Sequence, residues 1–215
     1  SLGQGRSGRA KRHPRCSACG MHDWLCVCTV LEPITLRTRV VVLTHQKEIC
    51  KPTNTGRLVP LALVGGELRV RGREGAPMST EGLVVPERRS LMLYPADGSK
   101  VLSSELVEAD PRPITLIVPD GNWGQARKVT TREPALAEVE RVRLPDGGPS
   151  RYRLRRHVDP RRVSTFEAVA RSLGILEGQE VQATLEYLFD VMVERTLWTR
   201  GELLESQVTG GLPAR

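Results

Sequence analysis

The chain has 215 residues, enough for one ordinary domain with a proper core plus a small appendage and too few for two large domains. Lys and Arg number 32 against 25 Asp and Glu, a formal charge of +7 with a pI near 9.5, which suits a polyanionic partner without requiring one. Three Trp, three Tyr and two Phe exclude an extended base-stacking platform, so any RNA contact would be made mostly to phosphate and shape.

No stretch approaches the roughly 20 apolar residues of a membrane span, and the N-terminus lacks the apolar core of a signal peptide, so the expectation is a cytoplasmic protein. The first residues, with Arg6, Arg9, Lys11, Arg12 and Arg15, read as a basic arm with no fold of its own. Cys16, Cys19, Cys26 and Cys28 then follow as C-x2-C-x6-C-x-C. In a reducing compartment such clustering points to metal and not to disulfides. Four thiolates can close a tetrahedral Zn2+ shell, and C-x2-C supplies the turn that converges two sulfurs. The C-x-C half needs a bend, because alternate residues on an extended strand face opposite ways. Structural zinc is the first reading; an iron–sulfur cluster and a metal-free cluster are the alternatives, with His13 and His22 as substitute ligands. A four-cysteine shell has no open position, so its metal would hold the segment together and do no chemistry, leaving the basic arm beside it as an RNA clamp.

Residues 38–44 (TRVVVLT) are a β-branched run that predicts a buried strand. Cys50 reads as a small packing residue beside the loop 51–58, whose hydroxyl and amide side chains open into an apolar helix or turn ending at Leu63. Residues 67–71 predict a short exposed strand or hairpin arm, residues 90–95 a strand stopped by Pro95, residues 103–106 a short packed segment and residues 114–118 a further strand. That strand delivers the run Asp120-Gly121-Asn122-Trp123-Gly124-Gln125-Ala126-Arg127-Lys128, a carboxylate, an indole and two cations where ligands bind in open α/β sheets.

A short helix should follow Asp120, and then a strand within residues 135–144 that carries Val139, Val142 and Leu144. Residues 151–155 alternate cations with apolar groups, as either a solvated edge strand or one that faces RNA. Ser164 and Glu167 make a capping box, and Gly174 is placed to stop that helix. A last helix spans residues 180–198, with Val181, Leu185, Leu188, Phe189 and Met192 on one buried face, and residues 202–215 read as a loose tail. Strands alternating with crossovers predict an α/β domain with a mainly parallel sheet. Each candidate loop also has an ordinary reading: Asp120 can simply cap a helix, Trp123 can be core, and Ser164 and Glu167 need do nothing beyond capping.

Taken together, H-x2-E-x2-K-P-T-N-T-G-R-L (His45 to Leu58), L-Y-P (Leu93 to Pro95), D-G-N-W-x-Q-A-R-K (Asp120 to Lys128), S-R-Y-R-L-R (Ser150 to Arg155) and S-T-F-E-A-V-A (Ser164 to Ala170) resemble the DTW-domain family in order and spacing, as does the cysteine cluster before them. The one departure is Asn122, where that family commonly has Thr. The resemblance implies a tRNA-uridine aminocarboxypropyltransferase that moves the 3-amino-3-carboxypropyl group of S-adenosylmethionine to uridine N3 and releases 5′-methylthioadenosine. By similarity to rRNA aminocarboxypropyltransferases it also implies a SPOUT-like fold with a C-terminal trefoil knot.

The implied layout is a basic arm and zinc knuckle in residues 1–31, a catalytic domain in residues 32–200 and a tail in residues 201–215. The co-substrate would lie among Thr53, Asn54, Thr55, Gly56, Leu93, Tyr94, Pro95, Asp120, Leu144, Ser164, Thr165 and Ala168. Asp120 is the candidate general base or orienter of the N3 proton, and Trp123 the candidate ring that packs on a base. Arg57, Arg127, Lys128, Arg151, Arg153 and Arg155 are the candidate contacts to tRNA, with Arg127 also suited to a carboxylate. A related S-adenosylmethionine-dependent RNA methyltransferase and a non-enzymatic zinc-knuckle RNA-binding module are the alternatives. The oligomeric state stays open.

Overall fold

A computed structural model describes residues 14–121, 128–129, 132–154 and 162–213. The basic arm before Arg15, His13, and the candidate residues Trp123, Arg127 and Arg155 lie outside the described residues.

Six strands form one sheet: β1 (Arg39–His45), β2 (Glu67–Arg71), β3 (Arg89–Leu93), β4 (Lys100–Val101), β5 (Ile114–Asp120) and β6 (Glu140–Arg143). Their order is β2-β1-β5-β3-β6-β4, and every pair is parallel. This bears out the parallel α/β expectation. The pleat explains the continuous apolar runs of β1 and β5: Val40, Val42, Leu116 and Val118 enter the core on one face, while Val41, Leu43 and Ile117 enter a second core on the other. Residues 67–71 are a half-buried parallel edge strand and not a hairpin arm, because a full crossover through α1 (Gln46–Ile49) and α2 (Val59–Ala62) separates them from β1.

The first core is roofed by α4 (Thr165–Leu176) and α5 (Gln179–Thr199), which bury Phe166, Val169, Leu173, Leu185, Leu188 and Phe189 against the sheet. Between β4 and β5 runs a short helix, α3 (Ser104–Glu108), capped by the Ser103 hydroxyl, which accepts from Leu106 N. The capping box is present: Ser164 Oγ accepts from Glu167 N and the Glu167 carboxylate accepts from Ser164 N.

Three local expectations are corrected. Gly174 does not stop its helix, which runs on to Leu176 and ends before Gly178 at φ +113°. A Cβ at Gly174 would stand 2.0 Å from Gln182 Oε1 and 3.0 Å from Gln182 Cβ, so this glycine allows α4 and α5 to approach. Residues 203–213 are not loose: Val208 is buried and Thr209 N donates to Glu194 Oε2 at 2.7 Å. Cys50 is exposed.

The connection after β1 turns toward β2 and the one after β5 turns the opposite way, toward β6. Such a reversal opens a crevice beyond the carboxyl ends of the two central strands. The trefoil knot stays a proposal, since the segments joining β5 to β6 and β6 to α4 include residues 122–127, 130–131 and 155–161, which lie outside the described residues. Among the described residues no helix is long and apolar enough to cross a membrane.

Candidate active site and candidate metal centre

The register of β1 against β5 sets Thr44 opposite Asp120, the last residues of two buried runs, at that crevice. Asp120 is buried, and both of its carboxylate oxygens accept hydrogen bonds. Oδ2 receives Thr44 Oγ1 at 2.8 Å and Asn54 Nδ2 at 2.7 Å; Oδ1 receives Thr165 Oγ1 at 2.5 Å. Asn54 Oδ1 in turn accepts from Arg57 N at 3.2 Å, and Thr55 Oγ1 accepts from Phe166 N at 3.2 Å in the first turn of α4. One carboxylate therefore fastens strand β1, the loop 53–56 and the positive end of a twelve-residue helix to the tip of β5. Gly56 is needed for space: a Cβ there would lie 3.0 Å from Val42 Cγ1 and 3.4 Å from Asp120 Oδ2.

The structure thus brings Asn54, Thr55, Gly56, Asp120, Ser164 and Thr165 together. Thr53 joins through its backbone, its carbonyl accepting from Tyr152 Oη at 3.0 Å. Leu93 ends β3, Tyr94 and Pro95 follow it and Leu144 follows β6, on the same carboxyl edge of the sheet, with Leu93 and Tyr94 turned into the two cores. Ala168 lies one turn into α4, partly buried against the first core. Thr44 was missed by motif reading, because as a strand terminus it carries no motif; its place at the end of a buried run was the available signal.

The candidate RNA contacts are redistributed. Arg57 is turned inward, its guanidinium donating to Ile49 O and lying against Gly20 of the cysteine segment. Residues 151–154 form no strand; they lie along α5, where Arg151 pairs with Asp190 and Glu186 and Arg153 pairs with Glu194. Glu167 reinforces this docking, since its carboxylate also accepts from Ser150 Oγ at 2.8 Å and Arg151 N at 2.5 Å. Lys128 is exposed. Two exposed cations not singled out from sequence, Lys47 and Arg132, stand on the carboxyl edge near His45. Burial first, then Arg71, Lys47 and Arg132, push the His45 imidazole below its ordinary range, so it stays neutral. Its Nδ1 accepts from Lys47 N at 3.1 Å.

The opposite, amino end of the sheet holds a broad concavity lined by Arg88, Arg89, Lys100 and Arg112. Those cations are already engaged: Arg89 and Lys100 by Glu140, Arg112 by Asp110, and Arg88 by Thr115 and the Ile114 carbonyl. The concavity therefore offers less to a ligand than the carboxyl edge does.

In the cysteine segment all four Sγ atoms lie within 4.8 Å of one another. Cys16 and Cys28 are 3.6 Å apart, and Cys19 and Cys26 are 3.7 Å apart. A tetrahedral shell with Zn–S bonds of about 2.3 Å has edges of about 3.8 Å, so the spacing fits zinc. The C-x-C half bends as required, with Cys28 N donating to Cys26 Sγ at 3.5 Å, and Gly20 at φ +75° turns the C-x2-C half. Amides of Cys19 and Ala18 lower the Cys16 thiol to about 7, whereas burial pushes the Cys19 and Cys28 thiols up. If all four were ionised, so close a set of thiolates would call for a cation among them. His22 stands aside, near Arg15 and stacked on Trp24, while Arg15 folds back to donate to Gly20 O. Cys19, Met21, Leu25 and Val27 of this segment pack into the first core.

The sequence pattern of the family described as DTW domain matches residues 13–197. The chain is 30% identical over 182 residues to a Macaca fascicularis protein named tRNA-uridine aminocarboxypropyltransferase 2, a match covering 82% of this chain and 61% of that protein. A Drosophila melanogaster protein of the same name is 29% identical over 181 residues, covering 81% of this chain and 71% of the relative. The chain thus spans about three fifths of the length of the macaque relative. A solved structure, that of the SAM-dependent rRNA:acp-transferase Tsr3 from Vulcanisaeta distributa, is similar with a TM-score of 0.46 at 22% identity, covering 82% of this chain and 86% of that one.

Proposed function

The chain belongs to the DTW domain family, and from that premise we propose that it is a tRNA-uridine aminocarboxypropyltransferase. Its co-substrate is S-adenosylmethionine, its acceptor uridine N3, and its by-product 5′-methylthioadenosine. The observation that carries the reading is the Asp120 cluster, in which residues from three of the family's motif segments meet at the crevice of the sheet.

S-adenosylmethionine supplies an activated carbon: its bond to the sulfonium breaks as the bond to N3 forms, and the N3 proton is lost. With the leaving group already activated, the protein has mainly to hold and align. Asp120 is suited to alignment. Three donors from three separate elements already converge on its carboxylate, Thr44 and Asn54 on Oδ2 and Thr165 on Oδ1, so it ties those elements together at the crevice. We therefore assign it to orienting the loop 53–56 and the start of α4 around the reactants. The amino end of α4 presents positive potential to the methionine carboxylate, and the neutral His45 and the Lys47 and Arg132 cations flank the approach of tRNA. Zn2+ on Cys16, Cys19, Cys26 and Cys28 is structural in this reading.

The deciding measurement is mass spectrometry of nucleosides from unmodified tRNA incubated with protein and S-adenosylmethionine. The expected products are 3-(3-amino-3-carboxypropyl)uridine and 5′-methylthioadenosine. A methylated nucleoside with S-adenosylhomocysteine would make the protein a methyltransferase, and RNA binding without affinity for S-adenosylmethionine would make it a binding module.

A further inference from the structure

Arg195, one turn before the carboxyl end of α5, is 5% exposed. Of the acids on its own helix, Glu180 lies at the far end, and Glu186 and Asp190 are directed to Arg151 and Glu194 to Arg153. Its guanidinium is instead held by carbonyls: Nη1 donates to Cys26 O at 2.7 Å and Leu25 O at 3.4 Å, and Nε donates to Gly211 O at 3.2 Å. Neutral dipoles alone offset poorly the cost of burying a full positive charge. Two of these carbonyls belong to the cysteine segment, and one belongs to a candidate metal ligand. Four thiolates around a divalent cation carry a net negative charge, and the Arg195 guanidinium, buried and held on the Leu25 and Cys26 carbonyls, is a cation set beside that segment.

We infer that Arg195 is the built-in counter-charge of the metal–thiolate centre and that it joins metal binding to the seating of residues 208–213 on α5. The inference rests on the zinc reading of the four cysteines. Two further contacts tie the same segment to the same helix: Trp24 meets Trp198 edge-on at 5.5 Å, and Thr196 Oγ1 donates to Met21 Sδ at 3.6 Å. The third carbonyl of Arg195 comes from the C-terminal segment, whose Thr209 amide is held by Glu194. A single guanidinium therefore receives the cysteine segment on one side and the C-terminal segment on the other. Removal of the metal leaves the charge uncompensated and slackens both attachments.

The test takes the full chain loaded with zinc and measures zinc affinity by competition with a chelator, for wild type, Arg195→Gln and Arg195→Lys. Gln retains a hydrogen-bond donor and lacks the charge; Lys retains the charge. Expected is a loss of zinc affinity of about 10- to 100-fold in Arg195→Gln, the range typical for groups that support metal ligands from outside, and a clearly smaller loss in Arg195→Lys. Equal affinity in Arg195→Gln and wild type overturns the inference while leaving the zinc reading intact; a wild-type protein that takes up no zinc overturns both. A second arm needs no variant. Hydrogen exchange of the wild-type protein before and after chelation should rise in residues 24–28 and 208–213 together and stay unchanged in β1. Unchanged exchange in residues 208–213 on metal removal would defeat the proposed coupling.

Discussion

Asp120 illustrates how a residue legible in sequence can have a role set by partners that are not. Its carboxylate accepts from Thr44, Asn54 and Thr165, which lie 76, 66 and 45 residues away along the chain. Asp120→Asn places an amide N–H where a carboxylate oxygen had faced a donor, leaving at least one buried group badly paired. The expected result is a loss of about 1–3 kcal/mol in folding stability along with a fall in turnover on the order of 100-fold from misplaced reactants. Denaturant unfolding and a turnover assay check both. An Asp120→Asn protein as stable as wild type would remove the positioning role, since a carboxylate poised to take a proton would carry no such structural burden. Asn54 and Thr165 were legible as short polar residues, and so was Asp120; that they meet on one carboxylate beside Thr44 was not, because strand register and helix docking decide it.

Residues 150–154 and α5 show the same limit in whole elements. The alternation in Arg151-Tyr152-Arg153 has the period of a strand, yet a period of two also suits any extended segment laid along a partner with regularly spaced charges. The partner was present in the sequence as Glu186, Asp190 and Glu194, four residues apart and so on one stripe of a helix. Gly174 was misread for a related reason. A glycine near a helix end resembles a stop, but here the absent Cβ makes room for Gln182 of the next helix. The long apolar strands and the capping box were readable because they depend on local composition alone. Replacing Arg151 and Arg153 by Ala should cost roughly 0.5–1 kcal/mol in stability, these being half-exposed pairs, and leave tRNA affinity and its salt dependence unchanged. Titration of tRNA at several salt concentrations decides this, and a shallower salt slope in the variant would restore these arginines to the RNA interface.

For the whole molecule, the charge of +7 is informative only once its internal pairing is known. Many arginines are consumed in holding the fold: Arg39 and Arg69 by Glu67, Arg89 by Glu140, Arg112 by Asp110 and Arg151 by Asp190. Lys47 and Arg132 are exposed on the carboxyl edge, where the proposed function would have them meet phosphate. The double variant Lys47→Ala, Arg132→Ala should weaken tRNA binding and lower the slope of log affinity against log salt by about 2, one for each phosphate that is no longer neutralised. An unchanged slope would exclude that edge as the RNA track.

The descent of Asp120's partners from residues 44, 54 and 165 also imposes an order on the birth of the site. A nascent chain that has emerged as far as β5 already owns the carboxylate and two of its donors. The third waits for the start of α4, and the roof of that helix waits for α5. In chain order, the set of partners is thus complete only after all six strands of the sheet have emerged.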